Sequence, residues 1–105
     1  MVKLIIAYRA PIDIVQFEQR YQVDQLALAE AMPNLQRITL SLVSPMSRGD
    51  APYHRLVELY FDDRVSLERA VQSKAGEAVM EQAHVIATGG LDLMLAELDR
   101  DGTVR

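Results

Sequence analysis

The spacing of apolar residues changes several times along the chain, and the order of these changes most constrains what the chain can fold into. Four segments have the alternation or the β-branched, apolar composition of strands: residues 2–8, 36–44, 53–61 and 91–98. Two stretches between them, residues 14–32 and 65–80, instead repeat apolar residues every three or four positions, as one face of a helix does. The sequence therefore predicts the order strand–helix–strand–strand–helix–strand.

This order predicts a ferredoxin-like sandwich, an α+β fold in which a four-stranded antiparallel sheet carries its helices on one face. The chain of 105 residues has the length of one domain, so we assign residues 1–105 to it, with a polar tail over 99–105 that is expected to fray. Asp13 has the residue type of a helix N-cap, and Gln16 stands in the capping-box position. Ser73 and Gly76 are expected to interrupt the second helical stretch before it continues.

Composition argues against several classes of partner and cofactor. Lys and Arg number 11 against 15 Asp and Glu, and the net charge of −4 argues against nucleic acid or an anionic membrane as a partner. The chain has no cysteine, and no apolar run approaches the roughly 20 residues of a membrane span. Its two histidines, His54 and His84, lack the spacing of metal ligands and are expected to be exposed. We therefore expect a cytoplasmic protein with no metal and no cofactor.

The first and last predicted strands are apolar on both sides. In the first strand, Leu4 and Ile6 point one way while Ile5 and Ala7 point the other, and residues 91–98 repeat this pattern. Because the helices cover only one face of the sheet, the second apolar face needs a cover from outside the chain. We expect two copies to pack sheet against sheet as a symmetric homodimer. The alternative is a monomer with an apolar open face.

Two segments carry a resemblance to a known family. FEQRYQVDQLALAEAMPNL (residues 17–35) and SKAGEAVMEQAHVIATGG (residues 73–90) resemble the EthD-like proteins, named for ethyl tert-butyl ether degradation, of the dimeric α/β-barrel superfamily. The positions that match are Phe17, Tyr21, Leu28 and Ala29 of the first helix, and Pro33 and Leu35 at its exit. The resemblance implies a dimeric α/β barrel. It also implies a relation to cofactor-free isomerases, monooxygenases and decarboxylases that act on small organic compounds.

The chain departs from the family pattern at two ionisable positions. Where the family commonly has a histidine this chain has Gln25, and where the family commonly has an aspartate it has Gln82. An amide donates and accepts hydrogen bonds, but it cannot act as a general base because it does not titrate. If the family histidine is catalytic, this chain has lost that role or performs it with another group.

Six residues are candidates to line a pocket between the first helix and the sheet: Phe17, Tyr21, Gln25, Leu28, Arg9 and His84. Gln25 falls on the apolar stripe of the helix. There it is either a hydrogen-bonding group of the pocket or a rim residue bonded to water or backbone. Tyr21 either offers its phenol to the pocket or is a core residue with its hydroxyl at the edge. Arg9 and His84 are either helpers at the pocket mouth or solvated surface groups.

These observations predict a small dimeric protein that binds a small, mostly apolar organic metabolite in a pocket between helix and sheet. Whether it catalyses a reaction stays open. If it does, we expect a cofactor-independent isomerase, decarboxylase or monooxygenase-like enzyme. The alternative is a non-catalytic binding or accessory protein that assists a partner enzyme, which the two amide replacements favour.

Overall fold

A computed structural model describes residues 1–100 of the chain. Its elements are β1 (Val2–Tyr8), α1 (Ile14–Glu30), β2 (Arg37–Leu42), β3 (Arg55–Phe61), α2 (Arg64–Gln72), α3 (Lys74–Ile86) and β4 (Leu91–Glu97). The predicted order is confirmed, with the second helical stretch formed by two consecutive helices. Of the tail that is expected to fray, residues 101–105 lie outside the described residues. No helix within residues 1–100 is long and apolar enough to cross a membrane.

The sheet has the strand order β2-β3-β1-β4, and every neighbouring pair is antiparallel. In the central strand, Leu4 lies directly between Leu59 of β3 and Leu95 of β4. Side chains alternate between the two sides of a sheet, and directly opposed residues point to the same side. The even-numbered positions of β1 are all buried and face the helices, and the odd-numbered positions face away. The ferredoxin-like fold predicted from the element order is confirmed.

The helix ends follow from local side-chain chemistry. Asp13 caps α1, because its Oδ1 accepts a hydrogen bond from the backbone N–H of Gln16 at 3.0 Å. Ser73 separates α2 from α3, and its Oγ accepts from the N–H of Gly76 at 3.1 Å. Gly76 therefore lies in the first turn of α3 and does not itself break the helix. This junction bends the second helical stretch so that both of its parts can lie on the sheet.

The side of the sheet that faces away from the helices, which we call the open face, combines apolar and paired charged groups. Glu58 lies near its middle, where its carboxylate accepts hydrogen bonds from Tyr60 at 3.0 Å and Thr39 at 3.1 Å and pairs with Lys3 at 3.4 Å. Burial alone would raise the pKa of Glu58, but these three partners outweigh it and hold the pKa below its usual value. The charges of the open face are therefore largely compensated within the chain.

Candidate functional site

A buried hydrogen bond joins the end of β1 to the middle of α1. Tyr8 faces the helices and is fully buried, and its Oη donates to Oε1 of Gln25 at 3.1 Å. Gln25 is itself only 1% exposed. Phe17, Tyr21 and Gln25 are spaced four residues apart, which places them in one row along the face of α1 that lies on the sheet. Gln25 is therefore an interior residue, and the rim interpretation is excluded.

Some buried polar atoms around this row make no hydrogen bond. Across residues 1–100, three buried side-chain atoms make no hydrogen bond, and they are Tyr21 Oη, Gln25 Nε2 and His54 Nε2. Each unpaired buried polar group costs about 1–3 kcal/mol, and folded proteins contain few of them. Two of the three atoms belong to the row of α1 and the third lies beside it, so this region is the candidate site.

Aromatic rings surround these polar atoms. The Tyr8 ring meets Phe17 edge-on at 5.2 Å and Tyr21 edge-on at 6.1 Å, while Phe17 and Tyr21 are stacked at 5.6 Å. His54 meets the Phe17 ring edge-on at 5.5 Å. Its backbone N–H donates to the carbonyl of Tyr8 at 2.7 Å, which fixes His54 beside the end of β1. We call Tyr8, Phe17, Tyr21, Gln25 and His54 the aromatic cluster.

An ion pair lies next to the aromatic cluster. Arg55 of β3 donates to Glu18 of α1 through Nε at 3.2 Å and also through Nη2. The guanidinium lies over the Tyr21 ring at 4.9 Å, and Oε2 of Glu18 is 3.7 Å from Nε2 of His54. At that distance the carboxylate and a neutral imidazole are not hydrogen-bonded, but a protonated imidazole would form an ion pair there. Glu18 and Arg55 thus meet His54 at the edge of the cluster.

The environment keeps both phenols of the cluster in their protonated form. Burial raises the pKa of Tyr8 well above its usual value, and the neighbouring Tyr21 adds to this effect. Burial also raises the pKa of Tyr21, although the nearby Arg55 works in the opposite direction. At neutral pH both hydroxyl groups are therefore hydrogen-bond donors, and the hydroxyl of Tyr21 has no acceptor.

The structure places the other candidates from the sequence at different positions. Leu28 is half-buried and packs against the core. Arg9 is bound to Asp92 at 2.7 Å and stacks on Tyr53 at the edge of the open face, away from the aromatic cluster. His84 is exposed on α3. The structure thus brings together Phe17, Tyr21 and Gln25 but not Arg9 or His84, whose roles stay predictions.

Gln82 has a structural partner. Its Nε2 donates to Oδ2 of Asp24 at 3.1 Å and so connects α3 to α1. An aspartate at this position would place a second negative charge against Asp24. The amide at position 82 therefore fits the contact between the two helices.

Sequence reasoning missed four residues of the site, namely Tyr8, Glu18, His54 and Arg55. Tyr8 could have been found, because it is an alternate residue of β1 with Leu4 and Ile6 and so lies on the same side of the sheet, facing the helices. The position of His54 before β3 suggested exposure, yet its side chain is only 17% exposed. Its burial depends on α1, which is distant in sequence.

The ion pair between Glu18 and Arg55 makes the stability of the fold depend on pH. Hydrogen bonds from Arg55 hold the pKa of Glu18 below its usual value against the opposing effect of burial. A carboxylate whose pKa is lower in the folded state stabilises the fold above its unfolded pKa, roughly 4.3, and this contribution is lost as the pH falls through the folded pKa.

We therefore expect the free energy of unfolding, measured by urea titration from pH 7 to pH 3, to fall less steeply in Glu18→Gln than in the wild type. Glu30→Gln, an exposed change on the same helix, is the control and should keep the wild-type slope. Equal slopes in all three proteins would contradict the assignment.

Comparison with known proteins identifies the family. A crystal structure of an ethyl tert-butyl ether (EthD) family protein from Bacillus halodurans superposes with a TM-score of 0.88 and 30% sequence identity, covering 93% of this chain and 98% of that chain. The chain belongs to the EthD family. No family model matches the sequence.

Other solved structures share the fold of this EthD chain at lower identity. A dimeric ferredoxin-like protein from Jannaschia is 11% identical with a TM-score of 0.72, covering 93% of this chain and 100% of that chain. SnoaB, a cofactor-independent oxygenase from Streptomyces nogalater, is 13% identical with a TM-score of 0.66, covering 95% of this chain and 94% of that chain. These two similarities establish the shared fold alone.

Proposed function

We propose that this EthD protein binds a small, mostly apolar organic compound that carries a hydrogen-bond acceptor, in a pocket between α1 and the helix-facing side of β1 and β3. The observation that supports the proposal is the pair of unpartnered buried atoms, Tyr21 Oη and Gln25 Nε2, among aromatic rings. A ligand that accepted hydrogen bonds from both would remove the cost of leaving them unpaired.

The polarity of the free groups limits the chemistry of the ligand. The Oε1 acceptor of Gln25 is already used by Tyr8, so the free end of the amide is a donor. The Tyr21 hydroxyl is protonated and also donates. The best complement is therefore a carbonyl oxygen on a flat, apolar skeleton that can lie against the rings of Phe17 and Tyr21.

Three compounds with one carbon skeleton test the proposal: 2-tetralone, 2-tetralol and tetralin. Binding is followed by amide chemical shifts of the labelled protein. We expect the ketone to bind most tightly, by roughly thirtyfold over the hydrocarbon, since two hydrogen bonds to a neutral acceptor each contribute about 1 kcal/mol. The double variant Tyr21→Phe/Gln25→Leu should bind ketone and hydrocarbon alike. Failure of all three compounds to shift the cluster residues would overturn the proposal.

The first candidate function includes the possibility that the bound compound is converted. The second candidate function is a non-catalytic binding or accessory protein that uses the same pocket. It is favoured by the amide at position 25, which cannot itself take up a proton. Recovery of the bound compound separates the two functions. A compound returned unchanged supports binding alone, and a converted compound supports catalysis.

A homodimer formed through the open face belongs to the same proposal. Ile5, Leu56 and Met94 lie on this face, and Met94 is 40% exposed. Because Glu58 is neutralised by its own neighbours, covering the open face would not bury an unpaired carboxylate. The Jannaschia neighbour is a dimeric ferredoxin-like protein, which supports a homodimer here.

Met94→Lys should convert the dimer to a monomer at micromolar concentration, because two copies would place the added charges against an apolar face. Light scattering at several protein concentrations measures the mass. Val23→Lys is the matched control, since it adds the same charge at a residue of α1 that is 74% exposed. A wild-type monomer, or a dimer that Val23→Lys disrupts and Met94→Lys does not, would contradict assembly through the sheet.

A further inference from the structure

We infer that Tyr8 sets the selectivity of the site between hydrogen-bond acceptors and hydrogen-bond donors, by fixing the orientation of the Gln25 amide. The inference rests on the proposed binding function and extends it to the class of compound that is excluded. A compound whose contacting atom accepts, such as a ketone oxygen, binds well, and one whose contacting atom only donates, such as a ring N–H, binds weakly. The observation behind it is the buried hydrogen bond of 3.1 Å from Tyr8 Oη to Gln25 Oε1.

The hydroxyl of Tyr8 depends on Gln25 for its acceptor. Tyr8 is fully buried, and among residues 1–100 its Oη makes a single hydrogen bond, the one to Gln25. The phenol stays protonated, because burial raises the pKa of Tyr8. Its neighbour Tyr21 meets it edge-on but leaves its own hydroxyl unpartnered. The hydroxyl hydrogen of Tyr8 is therefore paired only while the amide oxygen of Gln25 faces it.

Turning the amide of Gln25 over would exchange its oxygen and nitrogen. Nε2 would then donate to Tyr8 Oη, but the hydroxyl hydrogen of Tyr8 would lose its acceptor. The amide oxygen would stand where Nε2 stands now, and Tyr21 Oη would not pair with it there, since it makes no hydrogen bond with Nε2 at that place. The reversed amide thus leaves more buried polar groups unpaired than the observed one does. Tyr8 therefore holds Gln25 with its donor end directed away from Tyr8 and toward the proposed ligand.

Tyr21, the other unpartnered group of the site, does not select between donors and acceptors. Its hydroxyl hydrogen rotates about the C–O bond and its oxygen has lone pairs, so it donates to a ketone or accepts from a ring N–H. The amide of Gln25 does not adapt in this way while Tyr8 holds it. The selectivity therefore depends on Tyr8, which acts through Gln25 as a positioning residue.

Three bicyclic compounds of similar size test the inference: 2-indanone has only an acceptor, indole only an N–H donor, and indane neither. Their dissociation constants are measured from amide chemical shifts of the full-length wild type and Tyr8→Phe. We expect the wild type to bind 2-indanone roughly tenfold more tightly than indole, the effect of about one hydrogen bond. In Tyr8→Phe the released amide can turn either end to the compound. Indole should then bind roughly tenfold more tightly than it does to the wild type, while 2-indanone and indane stay within about threefold.

Tyr60→Phe is the matched control. It removes a phenol hydroxyl that donates to Glu58 on the open face, and it should change none of the three affinities. The gain in indole affinity in Tyr8→Phe distinguishes positioning from damage to the fold, because a loosened site would weaken all three compounds together.

The outcomes separate this inference from the proposed function. Equal affinity of the wild type for 2-indanone and indole, or a Tyr8→Phe protein that keeps the wild-type ratio, overturns the role of Tyr8 and leaves the binding function intact. A wild type that binds none of the three compounds overturns both. If Tyr8→Phe does not fold, nuclear Overhauser effects in the wild type decide. Contacts from the side-chain amide hydrogens of Gln25 to bound 2-indanone support the inference, and contacts to the Tyr8 ring without any to the compound overturn it.

Discussion

Gly76→Ala is expected to destabilise the protein by about 3 kcal/mol, although alanine normally stabilises a helix by about 1 kcal/mol relative to glycine. Gly76 is buried in the first turn of α3, where that helix follows directly on α2. A Cβ at this position would overlap the carbonyl oxygens of Ala70 and Val71 and lie 2.7 Å from the carbonyl carbon of Val71. These are backbone atoms, so relief would require α2 and α3 to move apart.

Chemical denaturation of Gly76→Ala beside the wild type measures this effect, at one protein concentration because assembly would add to stability. Glu81→Ala, an exposed change in the middle of the same helix, is the control and should shift stability by less than about 0.5 kcal/mol. A Gly76→Ala protein that is as stable as the wild type would mean that the two helices are not as close as the structure places them.

Removing both partners of the Tyr8–Gln25 hydrogen bond is expected to stabilise the protein, whereas removing an ordinary stabilising contact would destabilise it. Tyr8→Phe should cost about 1–2 kcal/mol, because it leaves the buried amide of Gln25 with no partner at all. Gln25→Leu alone strands the Tyr8 hydroxyl but removes the unpaired Nε2, so its net effect should be small. The double variant Tyr8→Phe/Gln25→Leu removes every unpaired group of this pair. We expect it to be more stable than the wild type by about 1 kcal/mol.

A double-mutant cycle of unfolding free energies measures the pair, with Gln22→Leu on the exposed side of α1 as control. The control should change stability by less than about 0.5 kcal/mol. If the double variant is the more stable protein and prefers 2-tetralone over tetralin less strongly than the wild type does, Gln25 is kept for binding at the expense of stability. A double variant that is less stable than the wild type by 2 kcal/mol or so would instead make the pair a structural network.

Several local features could be read directly from neighbouring residues. The Asp13 cap needs only the side chain of Asp13 and the N–H three residues on, and Ser73 acts in the same way at the start of α3. The row of Phe17, Tyr21 and Gln25 follows from the helical repeat. The odd position of Gln25 on an apolar stripe was therefore visible in the sequence, whereas the identity of its hydrogen-bond partner was not.

The partner of Gln25 depends on how β1 lies beneath α1, since Tyr8 is separated from Gln25 by the loop and half of the helix. The same holds for Glu58, which pairs with Lys3 only because β1 and β3 are neighbours in a particular register. The alternation of side chains along a strand tells which face of the sheet each side chain lies on. It does not tell which strand lies next to it or where a helix covers it.

The sequence by itself determined the order of elements, the helix starts, the two-sided apolar character of β1 and the polar exception at Gln25, because each depends on contacts within a few residues. Only the tertiary structure decided that Glu18, His54 and Arg55 meet beside Phe17 and Tyr21, and that two polar atoms there stay unpaired. Burial and pairing of polar groups are properties of segments far apart in the chain, brought together by sheet register and helix packing.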